Sequence, residues 1–333
     1  MSLRGTILGL FFLLFIASGC HSEKKNSIWI YTSLYKDTIA DLTPRLAKAF
    51  PGVEINWFQA GSEEIAAKVN AELLSGAIQA DILISSDRFW YEEMATQGRL
   101  HPYAIQNASE IAPEFKHPAN FYSTLSIPVM IITYNSDALS VEKAPKNFKD
   151  LALPAFANLV SSGSPLSSGT TFATMAALQT RYGWEYFEQL KKNKIIMEGG
   201  NSAVIRRVQD KERPIGIVLL ENVLRFKDSD ARLKVVFPED GVVIHNNILA
   251  ITKKASDRKQ VEQVAEWLFG QEGQEAMVRS FMYSPKKGFQ VPVGAPPLEQ
   301  ITGKAFPFDR AFLESVTQKR NELKEKFTQI MYQ

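Results

Sequence analysis

The sequence predicts an α/β protein made of two units, each a sheet flanked by helices. Three times before residue 100, a short apolar strand ends in a hydroxyl-rich turn that leads into a helical segment, an alternation typical of units with largely parallel sheets. A second series of the same kind runs from about residue 135 to residue 237. The 333 residues, 45% of them hydrophobic, are enough for two packed domains.

The first unit begins with the apolar segment Ile28–Tyr31, which predicts a short buried strand ending at Thr32 and Ser33. A helix with apolar residues at steps of three and four follows, and Thr43-Pro44 could restart it with threonine as the cap. The remaining predicted elements are a strand over 53–57, a helix opened by Gly61 and Ser62, a strand over 81–84, and a helix that follows Ser85, Ser86 and Asp87.

An extended segment from Leu125 to Tyr134 is long enough to pass between the units, and Pro128 inside it favours a sheet edge or a crossover. Further along, the apolar pattern predicts strands and helices in alternation. The strands are expected near 159–160, 195–196 and 215–220, the helices up to Tyr182, from Trp184 to Lys191 and near 261–269, with a return stretch over 242–251 and a final helix from about Phe308 to Tyr332.

The loop from Ser161 to Thr171 combines small hydroxyl residues with glycines and leads directly into a helix that begins near Phe172. The first N–H groups of a helix have no internal partner, and its dipole adds roughly half a positive charge there. Such a junction can hold a phosphate, a phosphonate or a carboxylate without Lys or Arg. The alternative is that Ser167 or Ser168 only caps the helix and that the loop is a surface turn.

The charge pattern argues against nucleic acid as a partner. The 38 basic and 36 acidic residues leave a net charge of +2, and no long run of one sign occurs. The sequence also has no Gly-x-Ser-x-Gly elbow, no His-Glu-x-x-His motif and no P-loop. An exported enzyme is therefore the less favoured class, and we expect no cofactor and no catalytic or metal site.

The N-terminal segment predicts export. Arg4 supplies a positive charge, and residues 7–16 form an apolar stretch too short for a comfortable membrane span. The segment Ile16-Ala17-Ser18-Gly19-Cys20 resembles a bacterial lipobox, in which the cysteine becomes the lipidated first residue of the mature chain. We expect a signal peptide at 1–19, a lipidated tether at 20–26, and a periplasmic or cell-surface location with the lipid as the only membrane contact.

Several segments, in the same order across nearly the whole mature chain, resemble the periplasmic solute-binding proteins of iron, phosphonate, thiamine and sugar-phosphate ABC importers. They are 147–151 with Pro154, the loop 161–171, then 183–187, 199–203, 214–217, 265–268 and 272–274. The resemblance implies the type II periplasmic binding fold: two lobes joined by two crossover strands, each lobe a mixed, mostly parallel sheet flanked by helices. Lobe 1 is expected at 27–130 plus 240–333 and lobe 2 at 131–239.

The resemblance also implies that the ligand binds between the lobes, which close on it. In open α/β sheets ligands bind outside the carboxyl ends of the strands, so polar turns of two facing units would meet across one cleft. Each such turn residue has an alternative role as a cap. The candidates are Thr32, Ser33, Ser62, Ser86 and Asp87 in lobe 1, and Ser167, Ser168, Gly169, Thr170, Thr171, Asn201, Ser202, Glu221 and Asn222 in lobe 2.

Iron-binding members of this family carry adjacent tyrosines after the strand that corresponds to residues 215–220, because phenolate oxygens suit ferric iron. Here that position has Glu221 and Asn222, and the four histidines show no metal-binding spacing. We therefore expect a small organic anion with hydroxyls, such as a sugar phosphate or a phosphonate. Glu221, Asn222 or Asp87 would accept hydrogen bonds from its hydroxyl or amino groups.

Three alternatives stay open at this point. Ferric iron could be the ligand, held by Glu221 with Tyr31, Tyr35 or Tyr91. The protein could present a bound solute to a membrane kinase instead of delivering it, as a monomer, to an ABC permease. Finally, Trp90 or Tyr91 could pack against an apolar face of the ligand or belong to the core.

Overall fold

The structure, a computed structural model, describes residues 26–333. The predicted signal peptide, Cys20 and nearly all of the tether lie outside the described residues, so the lipid anchor stays a prediction. Within the described range, no helix combines the length and the apolar character needed to cross a bilayer.

Strands and helices alternate along the described chain. The strands are β1 (Asn26–Thr32), β2 (Val53–Gln59), β3 (Ile82–Ser85), β4 (Leu100–His101), β5 (Ser123–Ser126), β6 (Val129–Asn135), β7 (Val160–Ser162), β8 (Ile196–Met197), β9 (Ile215–Leu219), β10 (Leu233–Val236), β11 (Val243–Ile244) and β12 (Asn247–Thr252). The helices are α1 (Lys36–Ala49), α2 (Ser62–Leu74), α3 (Arg88–Thr96), α4 (Gly169–Lys192), α5 (Asn201–Gln209), α6 (Leu220–Leu224), α7 (Lys259–Phe269), α8 (Gln271–Arg279), α9 (Leu298–Thr302), α10 (Arg310–Gln318) and α11 (Arg320–Tyr332).

The first sheet has six strands in the order β2-β1-β3-β12-β4, with β5 paired to β12. Strand β1 pairs in parallel with β2 and β3, whereas β12 runs antiparallel to β3, β4 and β5. Helices α1, α7 and α8 bury their apolar residues on one face of this sheet, and α2 and α3 do so on the other. Both faces are therefore covered, which explains the nearly continuous apolar character of β3.

The second sheet also has six strands, in the order β10-β6-β9-β7-β8, with β11 paired to β6. Strand β7 is parallel to β8 and β9, and β6 is antiparallel to β9, β10 and β11. Helix α4 packs on one face, and α5 and α6 pack on the other. The prediction of two mixed sheets flanked by helices is confirmed. Antiparallel pairing has a larger share than predicted, because β6 and β12, each entered from the other sheet, are antiparallel to the strands beside them.

The chain crosses between the sheets twice, side by side. The first crossing runs from β5 to β6 through Pro128, as the extended segment predicts, and the second runs from β11 to β12 through His245. The N–H of His245 donates to the carbonyl oxygen of Pro128 at 2.9 Å, so the two crossings are hydrogen-bonded to each other. This pair of strands is the natural hinge between the two lobes.

The C-terminal helices contact both units. Helix α10 packs against α3 beside the first sheet, and α11 packs against α4 beside the second. Phe306, Leu313 and Phe327 are buried in the same apolar cluster as Phe172 of α4. The predicted lobe boundaries assign this segment to lobe 1 and stay a prediction; the packing shows that it contacts both sheets' helices.

Local details differ from the periodicity-based predictions in two places. Helix α1 runs through Pro44 without restarting. The final helix is divided in two at Lys319, and the first part, α10, is capped by Asp309, whose carboxylate accepts from the N–H of Phe312 at 2.8 Å. By contrast, the predicted break between Tyr182 and Trp184 is present, since Gly183 has φ of 72° within α4.

Candidate functional site

A cavity of about 220 Å³ lies between the two sheets. This is smaller than the roughly 300–1,000 Å³ typical of pockets for drug-sized ligands, so it suits a small solute. The first unit lines it with the turns after β1, β2 and β3, and the second unit with the turns after β7, β8 and β9. The lining residues are Ser33, Leu34, Tyr35, Gln59, Ala60, Gly61, Ser62, Ser86, Ser167, Ser168, Thr170, Gly200, Asn201, Ser202, Leu219, Glu221 and Asn247.

The N-terminal ends of α1, α2, α4 and α5 meet at this cavity. Their N-cap residues Tyr35, Gly61, Ser168 and Gly200 all line it. Each helix end presents backbone N–H groups without an internal partner and a partial positive charge. Lys, Arg and His are missing from the lining within the described chain. The positive partial charges at the cavity lining therefore come from the backbone at these helix ends.

The hydroxyl groups at the cavity are joined in short networks. Ser168 caps α4 by accepting a hydrogen bond from the N–H of Thr171 at 3.3 Å, and its hydroxyl lies 3.1 Å from that of Thr170. The amide nitrogen of Asn201 donates to the Thr170 hydroxyl at 3.4 Å. Across the cavity the hydroxyls of Ser62 and Ser86 are 3.0 Å apart. Both units thus offer rotatable O–H donors beside their helix ends.

Most of the candidates predicted from the sequence line the cavity. They are Ser33, Ser62, Ser86, Ser167, Ser168, Thr170, Asn201, Ser202 and Glu221. Their roles in binding stay predictions, but the structure brings them together at one cavity, as expected if the polar turns of two facing units meet.

Asp87 and Gly169 do not line the cavity, because they contact each other across the two units. Asp87 is fully buried and caps α3, accepting from the N–H of Trp90 at 3.2 Å. Its other oxygen pairs with Arg320 of α11. A Cβ on Gly169 would lie 2.9 Å from the Cβ of Asp87, which is closer than real side chains approach. Gly169 therefore permits close contact between the lobes.

Three other candidates are also placed outside the cavity. The Thr32 hydroxyl accepts from the N–H of Leu34 at 3.0 Å and fixes the turn after β1. Thr171 is buried behind the first turn of α4, and Asn222 accepts a hydrogen bond from the Tyr35 hydroxyl at 2.6 Å. The Thr32 and Asn222 side chains therefore have partners within the protein, whereas the buried Thr171 hydroxyl has none among the described residues. The part of these three residues in ligand binding stays a prediction.

Trp90 and Tyr91 belong to the core of the first unit. Both lie on α3 and are buried in one cluster with Tyr31 and the apolar residues of α2, and neither lines the cavity. The aromatic residue at the cavity is instead Tyr35, which the sequence suggests only as an iron ligand. Its position as the N-cap of α1 could have indicated it, since Ser168, the N-cap of α4, was already a candidate.

Other lining residues were missed for lack of a local signal. Gly61 is predicted to open a helix and Gly200 lies in the segment 199–203 that carries the family resemblance, but their N-cap positions mark them as cavity residues only once the helices are placed. Asn247 begins β12 at the second crossing, where its amide donates to the Ser126 hydroxyl at 3.0 Å. Only the meeting of the two crossings brings it to the cavity.

Direct contacts hold the two units together beside the cavity. Besides the bond from Tyr35 to Asn222, Arg225 of the second unit pairs with Asp37 of α1 at 2.8 Å. The Arg225 guanidinium also lies 4.0 Å from the centre of the Tyr35 ring. The described conformation is therefore one in which the lobes touch.

Glu221 contributes a carboxyl group to the cavity lining, and only 1% of the residue is exposed. The pKa of its carboxyl group is raised from 4.5 to about 7, because burial raises it more than two other effects lower it. Those two effects are the hydrogen bond from its own backbone N–H and the charge of Arg225. A carboxyl of this kind is a common mark of a functional site.

The described residues offer little to a metal ion. Within residues 26–333 no group of three or more His, Cys, Asp or Glu side chains is arranged to hold one. Of the tyrosines considered for iron, Tyr35 lines the cavity, while Tyr31 donates to Glu72 at 2.7 Å and Tyr91 is in the core. Burial raises the pKa of Tyr35 well above its ordinary value in the metal-free protein.

The two lobes, the paired crossings and the cavity between them define a two-lobed solute-binding protein of the type II periplasmic fold. The chain matches the family model described as bacterial extracellular solute-binding protein over residues 78–309, and it belongs to that family. The family implies a small solute as ligand, an ABC permease as partner and a location outside the cytoplasm. No curated protein sequence matches the chain significantly.

Solved structures with the same fold include proteins with different ligands. The periplasmic binding protein AfuA from Actinobacillus pleuropneumoniae, with fructose 6-phosphate bound, is 22% identical, with a TM-score of 0.81 over 92% of this chain and 98% of that one. The periplasmic binding protein P5PA has the same identity and TM-score over 92% and 99%. Iron-bound HitA from Pseudomonas aeruginosa is 16% identical, with a TM-score of 0.77 over 90% and 99%. These likenesses establish the fold.

Proposed function

We propose that this protein captures a small organic anion, a sugar phosphate or a phosphonate, between its lobes and delivers it to an ABC permease. The observation that carries the proposal is the meeting of four helix N-termini, those of α1, α2, α4 and α5, at a cavity whose lining has no basic side chain. In this account the protein is a monomeric binding protein without catalytic activity, exported and anchored through a lipid on Cys20.

Capture follows from the two-lobed geometry. In an open form the helix ends of each unit would be separately hydrated, and the ligand's anionic head would bridge them on closure. Ligand binding then raises the closed population by an amount that is set by the ratio of the ligand's affinities for the closed and open forms. Tyr35 and Asn222 form a hydrogen bond between the units that is available only when they touch.

Ferric iron remains the second candidate because a solved neighbour with the same fold binds it. For this chain, the cavity would offer iron the oxygens of Tyr35 and Glu221. An iron-loaded protein would show a visible charge-transfer band from tyrosinate, which a sugar phosphate would not produce.

Removing the hydroxyls at the α4 end should weaken binding of the anionic head. For Ser168→Ala with Thr170→Val, we expect roughly ten- to thirtyfold lower affinity for fructose 6-phosphate or for a simple alkylphosphonate, because two hydrogen bonds are removed and a typical one contributes a net of about 0.5–1.5 kcal/mol. Titration calorimetry measures the affinity, after a thermal-shift screen of phosphorylated sugars, phosphonates and ferric salts selects the probe.

The matched control is Thr180→Val, on the same helix, whose hydroxyl bonds the carbonyl oxygen of Ala176 at 2.9 Å away from the cavity. We expect it to leave affinity unchanged. Equal affinity in the double variant and the control would contradict the anion seat, and stabilisation by ferric salts alone would favour iron.

A further inference from the structure

The side chain of Arg225 reaches from the second unit to the first. It follows helix α6 and donates from Nε to Asp37 at 2.8 Å and from Nη2 to the carbonyl oxygen of Ser280 at 3.1 Å. The guanidinium also lies 4.0 Å from the centre of the Tyr35 ring. Tyr35 and Asp37 are at the start of α1 and Ser280 is at the end of α8, so all three contacts join the second unit to the first. They are available only while the lobes touch.

The same arrangement leaves two charged groups at α6 incompletely satisfied. The Nη1 atom of Arg225 is buried and has no hydrogen-bond partner within residues 26–333. Glu221 is 1% exposed, and the charge of Arg225 acts on its carboxyl group without a hydrogen bond between the two side chains in the described chain. A buried N–H group without a partner and a buried carboxyl group without a cation at bonding distance both cost free energy.

Glu221 and Arg225 lie four residues apart on one helical face. The backbone N–H of Arg225 donates to the carbonyl oxygen of Glu221 at 3.1 Å, and Arg225 has helical dihedral angles, so the helical geometry continues up to it. Side chains at this spacing are neighbours, and a glutamate four residues before a basic residue is the favourable order for an ion pair. Once Arg225 has left the first unit, it can therefore pair with Glu221 by side-chain rotation alone.

We propose that Arg225 is a positioning residue for lobe closure that exchanges carboxylate partners: it pairs with Glu221 when the lobes are open and with Asp37 of the other lobe when they are closed. Closure then withdraws the cation from Glu221 and leaves that carboxyl group buried. This inference rests on the capture by closure in the proposed function, but it does not depend on which ligand is captured.

The exchange opposes closure of the unliganded protein. In the open form, Arg225 and Glu221 neutralise each other and their remaining polar atoms are hydrated. In the closed form, Arg225 gains partners on the first unit, but no second cation acts on Glu221 within the described residues. The tyrosines that sense its charge, Tyr35 and Tyr283, are neutral, since burial raises the pKa of both well above its ordinary value. Contacts with a ligand are therefore needed to favour the closed form.

Titration calorimetry distinguishes the two carboxyl partners of Arg225 by the sign of their effects on affinity. The probe is fructose 6-phosphate, or the compound that the thermal-shift screen selects in its place. Glu221→Gln removes the open-form partner and the buried charge, so we expect affinity to rise by at least about twofold, the scale of an ion pair at this helical spacing. Asp37→Asn removes the closed-form partner and should lower affinity by up to about fivefold, because that ion pair is partly exposed.

Three further variants serve as controls. Glu188→Gln, the same carboxyl-to-amide change on the exposed side of α4, should leave affinity unchanged. In an Arg225→Met background, Asp37→Asn should lose its effect, because its partner is gone. Arg225→Lys should bind more weakly than the wild type, since one ammonium group cannot span all three contacts, but it should keep the gain from Glu221→Gln. Melting curves verify that every variant folds.

A crystal structure of the unliganded protein tests the open-form pair directly. We expect separated lobes and a guanidinium nitrogen of Arg225 within about 4 Å of the Glu221 carboxylate. Separated lobes without this pair, closed lobes without a ligand, or lower affinity in Glu221→Gln would each overturn the inference. If no phosphorylated or phosphonate compound binds, the proposed function fails, and the unliganded structure alone decides the inference.

Discussion

Replacing Arg320 with Met is expected to lower the free energy of unfolding by about 3–5 kcal/mol, the usual cost of breaking a buried charge network. Arg320 lies on α11, is 9% exposed, and pairs with both oxygens of Glu63 at 3.0 and 3.1 Å. It also pairs with Asp87, which is completely buried. Without Arg320, Asp87 would keep its charge with only the N–H of Trp90 as partner.

The loss should depend on pH in a defined direction. Burial already raises the pKa of Glu63, and removing the Arg320 charge, which lowers that pKa, should raise it further. The destabilisation is therefore full at high pH and shrinks as pH falls through this raised pKa towards 4. Chemical denaturation at pH 8 and pH 4.5 measures it.

Two variants provide the controls for Arg320. Arg320→Lys keeps the charge and should recover part of the stability. Arg45→Met removes an exposed pair with Asp41 at 2.9 Å and should leave the free energy of unfolding nearly unchanged, because exposed ion pairs contribute little to stability. A loss below about 1 kcal/mol at pH 8 for Arg320→Met would show that the network does not hold α11 to the first unit.

The second large effect is expected on ligand affinity, from Gly169→Val. A Cβ at this position would lie 2.9 Å from the Cβ, 3.0 Å from the N and 3.1 Å from the Cα of Asp87, which belongs to the other unit. Overpacking of this kind costs up to about 3 kcal/mol, and the cost falls on the closed form alone. Affinity for a phosphorylated probe should fall about a hundredfold.

Stability of the unliganded variant should change little, because an open form relieves the clash. X-ray scattering should show that the ligand no longer compacts the variant. Gly303→Ala, where an added Cβ meets nothing within 4 Å, is the control and should bind normally. Unchanged affinity in Gly169→Val would mean that binding does not require this contact between the lobes.

Much of the site could be predicted because it depends on local patterns. A hydroxyl-rich loop before an apolar helix identifies Ser168 and Thr170 wherever the helix lies in the fold, since the capping chemistry is local. Ser62 and Asn201 are also recognisable locally, because each directly follows a glycine at the start of an apolar helix, α2 or α5. The sheets were predictable for the same reason, because apolar strands and polar turns alternate along the chain.

What could not be predicted depends on partners far along the chain. From its position in a turn, Asp87 is predicted to contact the ligand. In the structure its carboxylate instead pairs with Arg320, which lies 233 residues further along the chain. Asn222 is predicted to contact the ligand in the same way. In the structure it accepts a hydrogen bond from the hydroxyl of Tyr35, which lies 187 residues earlier in the chain. Antiparallel pairing of β6 and β12 likewise depends on the direction in which the crossings enter each sheet. No local periodicity contains that information.

The central claim is that backbone N–H groups at the start of α4, between the lobes, hold a negatively charged ligand. A crystal structure of the protein with the phosphorylated or phosphonate compound that stabilises it most tests this directly. The account predicts phosphoryl oxygens within hydrogen-bonding distance of the N–H groups at Gly169 and Thr170, with both lobes in contact with the compound. An anionic group bound elsewhere, or a metal ion held by Tyr35 and Glu221 in its place, would contradict it.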